Sequence, residues 1–131
     1  MKQKFFLTIA ALSGFISVAA GAFGAHGLEG KVSPKELAAF ITAAEYQMYH
    51  ALALVAVSLI SERYPSRFLN VSGWFFVIGT ILFSGSLYIL GSTGSRALVL
   101  VTPVGGTAVS YTHLRAHETR HDLVCRLLLE K

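Results

Sequence analysis

The chain has 131 residues, 53% of them hydrophobic and 14% charged, with a formal charge of +4 and an isoelectric point near 9.5. A water-soluble domain of this size cannot hide so much apolar side chain, so lipid is the expected solvent and an all-α membrane protein the expected class. The basic residues stand singly between apolar runs, which excludes a nucleic-acid footprint, and a single cysteine permits neither an internal disulfide nor a cysteine-based metal site.

Phe5 to Ala25 is a run of 21 residues without a charge, long enough for a hydrocarbon layer of roughly 30 Å, so a first span is expected over 5–25. Its competitor is a cleaved signal peptide, with Lys2 and Lys4 as the basic start and Ala20-Gly21-Ala22 as the cleavage site, which makes the product secreted. The run is longer than a signal's apolar region and further spans follow, which favours a membrane helix. Ser13, Ser17, Gly21 and Ala25 recur every four residues. Such a small-residue stripe suits close approach of another helix, from a second copy of the chain or from a larger membrane partner.

Ser33-Pro34-Lys35-Glu36 has the form of a capping box with proline in the first turn, and predicts the start of a second helix. Leu37, Phe40, Ile41, Ala44, Met48 and Leu52 then follow at helical spacing, while Thr42, Glu45, Tyr46 and Tyr49 take another face. The crossing part is expected over 44–61, before Pro65 stops the helix. Phe68 to Ser95 holds 28 residues without a charge and is expected to carry a third span over about 71–90, with Trp74 and Tyr88 near the two headgroup levels. Gly91-Ser92-Thr93-Gly94 reads as a turn. A fourth apolar stretch, 97–112, contains Pro103 and Gly105-Gly106 and meets polar sequence too early for a complete span. The expectation is a helical bundle of three full spans and a truncated fourth.

Composition changes abruptly at Ser110. The last 22 residues hold three of the five histidines, four of the eleven Lys and Arg, and the only Asp and Cys. Ser110-Tyr111-Thr112-His113-Leu114-Arg115-Ala116-His117-Glu118-Thr119 and the segment from Leu123 to Lys131 resemble a translated sequencing-adapter peptide. The expected native domain is therefore 1–109, with 110–131 set aside as a fusion scar. His113, His117 and His121 follow an i, i+4, i+8 spacing that would place three imidazoles on one helical face, but they fall within that scar. Without it, seven basic and four acidic residues leave a net charge of +3.

Within 1–109 the main polar constellation is Glu45, Tyr46, Gln47, Tyr49 and His50. A charged group at membrane depth is costly, by about 2.5–3.5 kcal/mol on insertion scales, so it has a partner or a pathway. One reading makes His50 and Glu45 a proton-responsive or ion-conducting pair in a hydrated crevice. The favoured reading has these groups at the interface, bonded to water, headgroups and neighbouring helices. His26 follows the first span in Gly24-Ala25-His26-Gly27, and with His50 and Glu45 it forms no diagnostic ligand spacing, so no metal or other cofactor is expected. Ser84 and Tyr88 share a face of the third span and Ser86 lies on a different side, all suited to hydrogen bonding within or between helices. A phosphate-binding glycine loop, a nucleophile elbow and an H-E-x-x-H pair are all lacking, and no enzyme is expected.

Gly21-Ala22-Phe23-Gly24-Ala25-His26-Gly27-Leu28, Tyr46-Gln47-Met48-Tyr49-His50-Ala51-Leu52, Phe83-Ser84-Gly85-Ser86-Leu87-Tyr88 and Thr102-Pro103-Val104-Gly105-Gly106, in that order, resemble the DUF423 family of small bacterial inner-membrane proteins. The resemblance covers about residues 1–109 and implies a four-helix protein of the bacterial cytoplasmic membrane with no assigned activity. It offers His26, Gln47, His50, Ser84, Tyr88, Pro103, Gly105 and Gly106 as candidate functional positions, to which the polar constellation adds Glu45. In the family the helix after T-P-x-G-G continues hydrophobically, where this chain turns into the adapter-like tail. The expected role is a structural or interaction component of that membrane, with an ion- or proton-permeable protein as the alternative and a secreted protein third. An inside amino terminus places Lys2, Lys4, Arg63 and Arg67 inside against Lys31, Lys35 and Arg96 outside, a margin of one. Resequencing genomic DNA across Val109 is expected to reveal a frame that stays apolar through a fourth span. A genomic frame encoding 110–131 as it stands here overturns the fusion-scar reading.

Overall fold

The computed structural model describes residues 2–98 and 100–107. Three long helices, α1 over Lys2–Gly27, α2 over Pro34–Arg63 and α3 over Arg67–Thr93, are followed by a short helix α4 over 101–107, and no strand occurs among the described residues. Each long helix has the length and apolar composition to cross a membrane. Helices pair their backbone N–H and C=O groups internally, as a hydrocarbon solvent demands. The chain is a multi-pass integral membrane protein.

Local chemistry sets the helix ends. Ser33 accepts the Glu36 N–H at 3.3 Å and Glu36 Oε2 accepts the Ser33 N–H at 2.8 Å, completing the capping box at the start of α2. That helix stops at Tyr64, whose N–H still reaches Ile60 O at 2.8 Å, ahead of Pro65. At the other end of α3 the expected turn over 91–94 contracts to one residue. The Ser92 and Thr93 hydroxyls donate to the Tyr88 and Ile89 carbonyls, so both residues remain helical, and only Gly94, at φ +68°, takes the left-handed conformation that ends the helix.

The middle helix is α2, with α1 on one side and α3 on the other. Toward α1, Ser17 Oγ donates to Ala44 O at 2.6 Å, Gly21 lies over Ala44, and Gly14 lies over Met48 and Ala51. The small-residue stripe of α1 thus faces α2 of the same chain at Ser13, Ser17 and Gly21, and only Ala25 is exposed. The small size of Ser13, Ser17 and Gly21 lets two backbones approach where hydrocarbon offers no hydrophobic drive.

Toward α3, the backbone of α2 meets Gly91 closely. A Cβ there would lie 2.7 Å from both Glu36 O and Phe40 Cβ. Phe40 also meets the Tyr88 ring edge-on at 4.9 Å. At the opposite end of the bundle Phe6, 1% exposed, rests its ring on Gly73 and packs against Trp74, joining a core with Ala10, Leu54, Val57 and Phe76. The two aromatics expected at the headgroup levels therefore differ. Trp74 is exposed near the Phe6 end, whereas Tyr88 turns inward and its hydroxyl donates a hydrogen bond to Gln47 Oε1.

The stretch expected as a fourth span over 97–112 starts its helix at 101, and α4 packs on Gly79, Phe83 and Ser86 of α3. A Cβ on Gly105 would lie 2.7 Å from Phe83 N and 3.0 Å from Gly79 O, while Thr102 and Ser86 share a hydrogen bond of 2.6 Å. Residues 99 and 108–112 of that stretch, and the tail with His113, His117, His121 and Cys125, lie outside the described residues.

Backbone-level contact at Gly91 has a measurable consequence. Gly91→Ala is expected to cost about 1–3 kcal/mol and to lower the thermal midpoint of unfolding in detergent. Gly85→Ala, whose Cβ would meet nothing within 4 Å, is expected to leave the midpoint unchanged or slightly raised. Equal effects of the two substitutions contradict this packing.

Candidate functional site

Near Phe6 and Gly73 α1 and α3 touch, and a cavity of about 360 Å³ lies between α1, α2 and α3. Its walls are mostly apolar, and six polar side chains reach it: Ser13, Gln47, His50, Thr80, Ser84 and Tyr88. Among the described residues, none that lines it is Asp, Glu, Lys or Arg. Leu12, Ile16 and Ile81 line it and are also exposed, so the cleft opens through an apolar rim toward hydrocarbon. Among the described residues, helix α4 does not cover that opening. It sits on the Gly79, Phe83 and Ser86 face of α3, while Val77, Ile81, Ser84 and Tyr88 point the other way around the helix into the cleft.

Gln47 joins all three long helices. Buried on α2, its Nε2 donates to Ser13 O at 3.2 Å and to Ser13 Oγ at 3.3 Å on α1, and its Oε1 accepts the Tyr88 hydroxyl at 2.7 Å from α3. The arrangement needs a donor and an acceptor on one side chain, which an amide supplies and an ionised carboxylate or an aliphatic group does not. Interhelical hydrogen bonds of this kind contribute on average about 0.6 kcal/mol and at most about 1.7 kcal/mol in membranes.

The other polar groups of the cleft differ in how they are satisfied. Thr80 Oγ1 donates to Phe76 O at 2.7 Å within its own helix. Ser84 is 2% exposed, and its buried Oγ has no hydrogen-bond partner among the described residues. The His50 ring is surrounded by aromatic rings, with centroids of Phe76, Tyr46 and Phe83 at 6.2, 6.3 and 6.5 Å.

Of the positions singled out in the sequence, Gln47, His50, Ser84 and Tyr88 meet at this cleft. Glu45 does not. It lies five residues before His50, about 140° around the helix, and is exposed outside the cavity lining. The crevice expected to hold Glu45 beside His50 is therefore absent from this arrangement. His26 is exposed in the last turn of α1. Pro103, Gly105 and Gly106 belong to α4, where the glycines fit α4 onto Phe83 of α3. No three His, Cys, Asp or Glu side chains gather to hold a metal among the described residues. Ser13 and Thr80 escaped the sequence reading as cleft residues. The only signal was a hydroxyl in an apolar helix, which has many uses besides lining a cavity.

Comparison with known proteins places this bundle in a family. The family described as "Protein of unknown function (DUF423)" matches residues 20–106, from the last turns of α1 into α4. The chain is 49% identical over 109 residues to a UPF0382 membrane protein of Haemophilus influenzae, covering 82% of this chain and 85% of that one. It is 48% identical over 104 residues to a UPF0382 membrane protein of Staphylococcus haemolyticus, covering 79% and 84% respectively. To the UPF0382 inner membrane protein YgdD of Escherichia coli it is 44% identical over 108 residues, 82% of each chain. No solved structure matches the chain. By the extent of the family match and the identity to these relatives, the chain belongs to the DUF423 family.

Proposed function

We propose that this protein is a non-catalytic binding protein of the bacterial cytoplasmic membrane, and that the cleft between α1 and α3 receives a lipid-soluble molecule from the bilayer. The observation that carries this reading is the cavity itself. At about 360 Å³ it is within the size range of small-molecule sites, and it has their composition of apolar walls with a few convergent polar groups. Its exposed rim residues Leu12, Ile16 and Ile81 favour access from the hydrocarbon layer over access from water. The word "inner membrane" in the name of the Escherichia coli relative supports the compartment.

Two other readings are weaker. Ion or proton permeation through His50 and Glu45 loses one member of its pair, because Glu45 is exposed off the cleft. Assembly with a second copy or a larger partner through the small-residue stripe competes with the contacts that Ser13, Ser17 and Gly21 already make to α2.

The test uses the 131-residue chain in vesicles of phosphatidylethanolamine and phosphatidylglycerol, exposed to a hydrocarbon probe bearing a diazirine. Labelling is expected to saturate and to map to the segments around Ser13, Ala51 and Ser84. Gly85→Leu extends a side chain from a wall position with open space at Cβ, and is expected to abolish the saturable part without lowering the thermal midpoint. Labelling that rises linearly, spreads over the exposed faces and ignores Gly85→Leu contradicts the reading. A proton gradient across the same vesicles is expected to persist; its dissipation, sensitive to His50→Ala, would replace binding with permeation.

A further inference from the structure

We infer that the outer face of α2, centred on Glu45 and Tyr49, joins this chain to a second copy of itself in the membrane. The inference begins from depth. Ser17 of α1 donates to the carbonyl of Ala44, the residue before Glu45, and stands two residues past Phe15, the centre of the uncharged run from Phe5 to Ala25. Tyr46, the residue after Glu45, packs its ring on Phe83, ten residues or about 15 Å from the end of α3 at Thr93. Both neighbours put Glu45 within about one helical turn of the middle of the hydrocarbon layer, far from water and headgroups. The headgroup level expected for it from the sequence is replaced by one near the centre.

At that level α1 and α3 show lipid apolar side chains, Phe15, Ile16 and Val18 on one and Ile78 and Ile81 on the other. Helix α2 shows it Glu45 and Tyr49, which lie about 40° apart around the helix and are both exposed. Among the described residues no hydrogen bond or ion pair reaches the Glu45 carboxylate or the Tyr49 hydroxyl. Every Lys and Arg among them lies at a helix end or in a loop, so no cation of this chain stands at this level. An acid facing lipid at such depth is unfavourable for as long as the protein is in the membrane. Its partner must be resident, which a transient ligand is not and a second copy is.

The face is self-complementary. Copies inserted in the same direction pair about a twofold axis along the membrane normal, which sets equal levels opposite each other. Side chains on a helix lean toward its amino terminus, so the Tyr49 hydroxyl rises from one turn away toward the level of Glu45. Across the twofold, Tyr49 of each copy donates to the carboxylate of the partner's Glu45, giving two equivalent hydrogen bonds. Ala38 and Ala56, exposed on the same face toward its two ends, let the helices come close. Gln47 points about 160° away from Glu45, so this interface and the cleft lie on opposite sides of α2 and are tested separately.

The experiment reads energy transfer between donor- and acceptor-labelled copies of the 131-residue chain, each labelled at its single cysteine, Cys125, in vesicles of phosphatidylethanolamine and phosphatidylglycerol. Transfer is expected to saturate as the chain is concentrated in the bilayer and to vary linearly with the acceptor fraction, as a dimer requires. Tyr49→Phe is expected to weaken pairing roughly tenfold, the change produced by two interhelical hydrogen bonds of ordinary strength, and Glu45→Leu by at least as much. Glu45→Gln, whose amide oxygen still accepts, is expected to retain it. All three are expected to keep the thermal midpoint in dilute detergent, where the chains are monomers. In a Cys125→Ser background, oxidation by copper phenanthroline is expected to link Leu52→Cys on this face into dimers and to leave Phe15→Cys on α1 unlinked. Transfer no greater than that of randomly mixed chains, pairing indifferent to both Glu45→Leu and Tyr49→Phe, or linkage at Phe15→Cys in place of Leu52→Cys overturns the inference. A monomeric chain that instead binds a polyleucine helix with a central lysine, and loses it in Glu45→Leu, overturns it as well and assigns the face to a basic partner.

Discussion

The fold depends on one amide. Hydrocarbon supplies no water to replace a lost hydrogen bond, so a buried glutamine must find both its donors and its acceptor partners among neighbouring helices. Gln47 does so by joining Ser13 on α1 and Tyr88 on α3 from the middle of α2. That fixes the rotation of each outer helix about its axis at one level. Because the tie runs through α2 and not directly from α1 to α3, the outer helices need not close on each other. The cleft is the space between α1, α2 and α3 beside the tie.

Above and below this level the helices are held by shape. Gly73 beneath the Phe6 ring and Gly91 against the Phe40 backbone bring helices together at the two ends of the bundle, and Gly105 does the same for α4 on Phe83. Lipid tails are as apolar as leucine, so close contact and dispersion, rather than escape from water, reward these approaches. The pattern explains why large apolar side chains such as Phe15, Ile16 and Val18 remain outside while serines and glycines occupy the interior. Beside the apolar core at Phe6, Leu54, Val57 and Phe76, the interior is thus unusually rich in small polar residues, which follows from the solvent.

What the sequence disclosed was governed by chemistry local to one segment. The capping box at Ser33 and Glu36, the stop before Pro65 and the lengths of the apolar runs each involve residues close in the chain, and each has its counterpart in the helices. The direction in which a polar residue points across the bundle was legible only in part. Ser84 and Tyr88 at i, i+4 had to share a face, and they do. That Tyr88 turns inward, that Glu45 turns away from His50, and that Gly91 is a contact instead of a turn depend on where α2 lies relative to α1 and α3. No spacing within a single helix encodes that position. The small-residue stripe shows the same limit, since its period reveals that a helix approaches and does not say which one.

Gln47 both ties the three helices and lines the cleft, so the strength of the tie is the quantity on which the account stands. A double-mutant cycle on Gln47→Ala and Tyr88→Phe, read as unfolding free energy in detergent micelles, measures it directly. The account predicts a favourable coupling of about 0.6 kcal/mol or more, toward the upper range of about 1.7 kcal/mol seen for interhelical hydrogen bonds. Additive effects, with a coupling indistinguishable from zero, would contradict it.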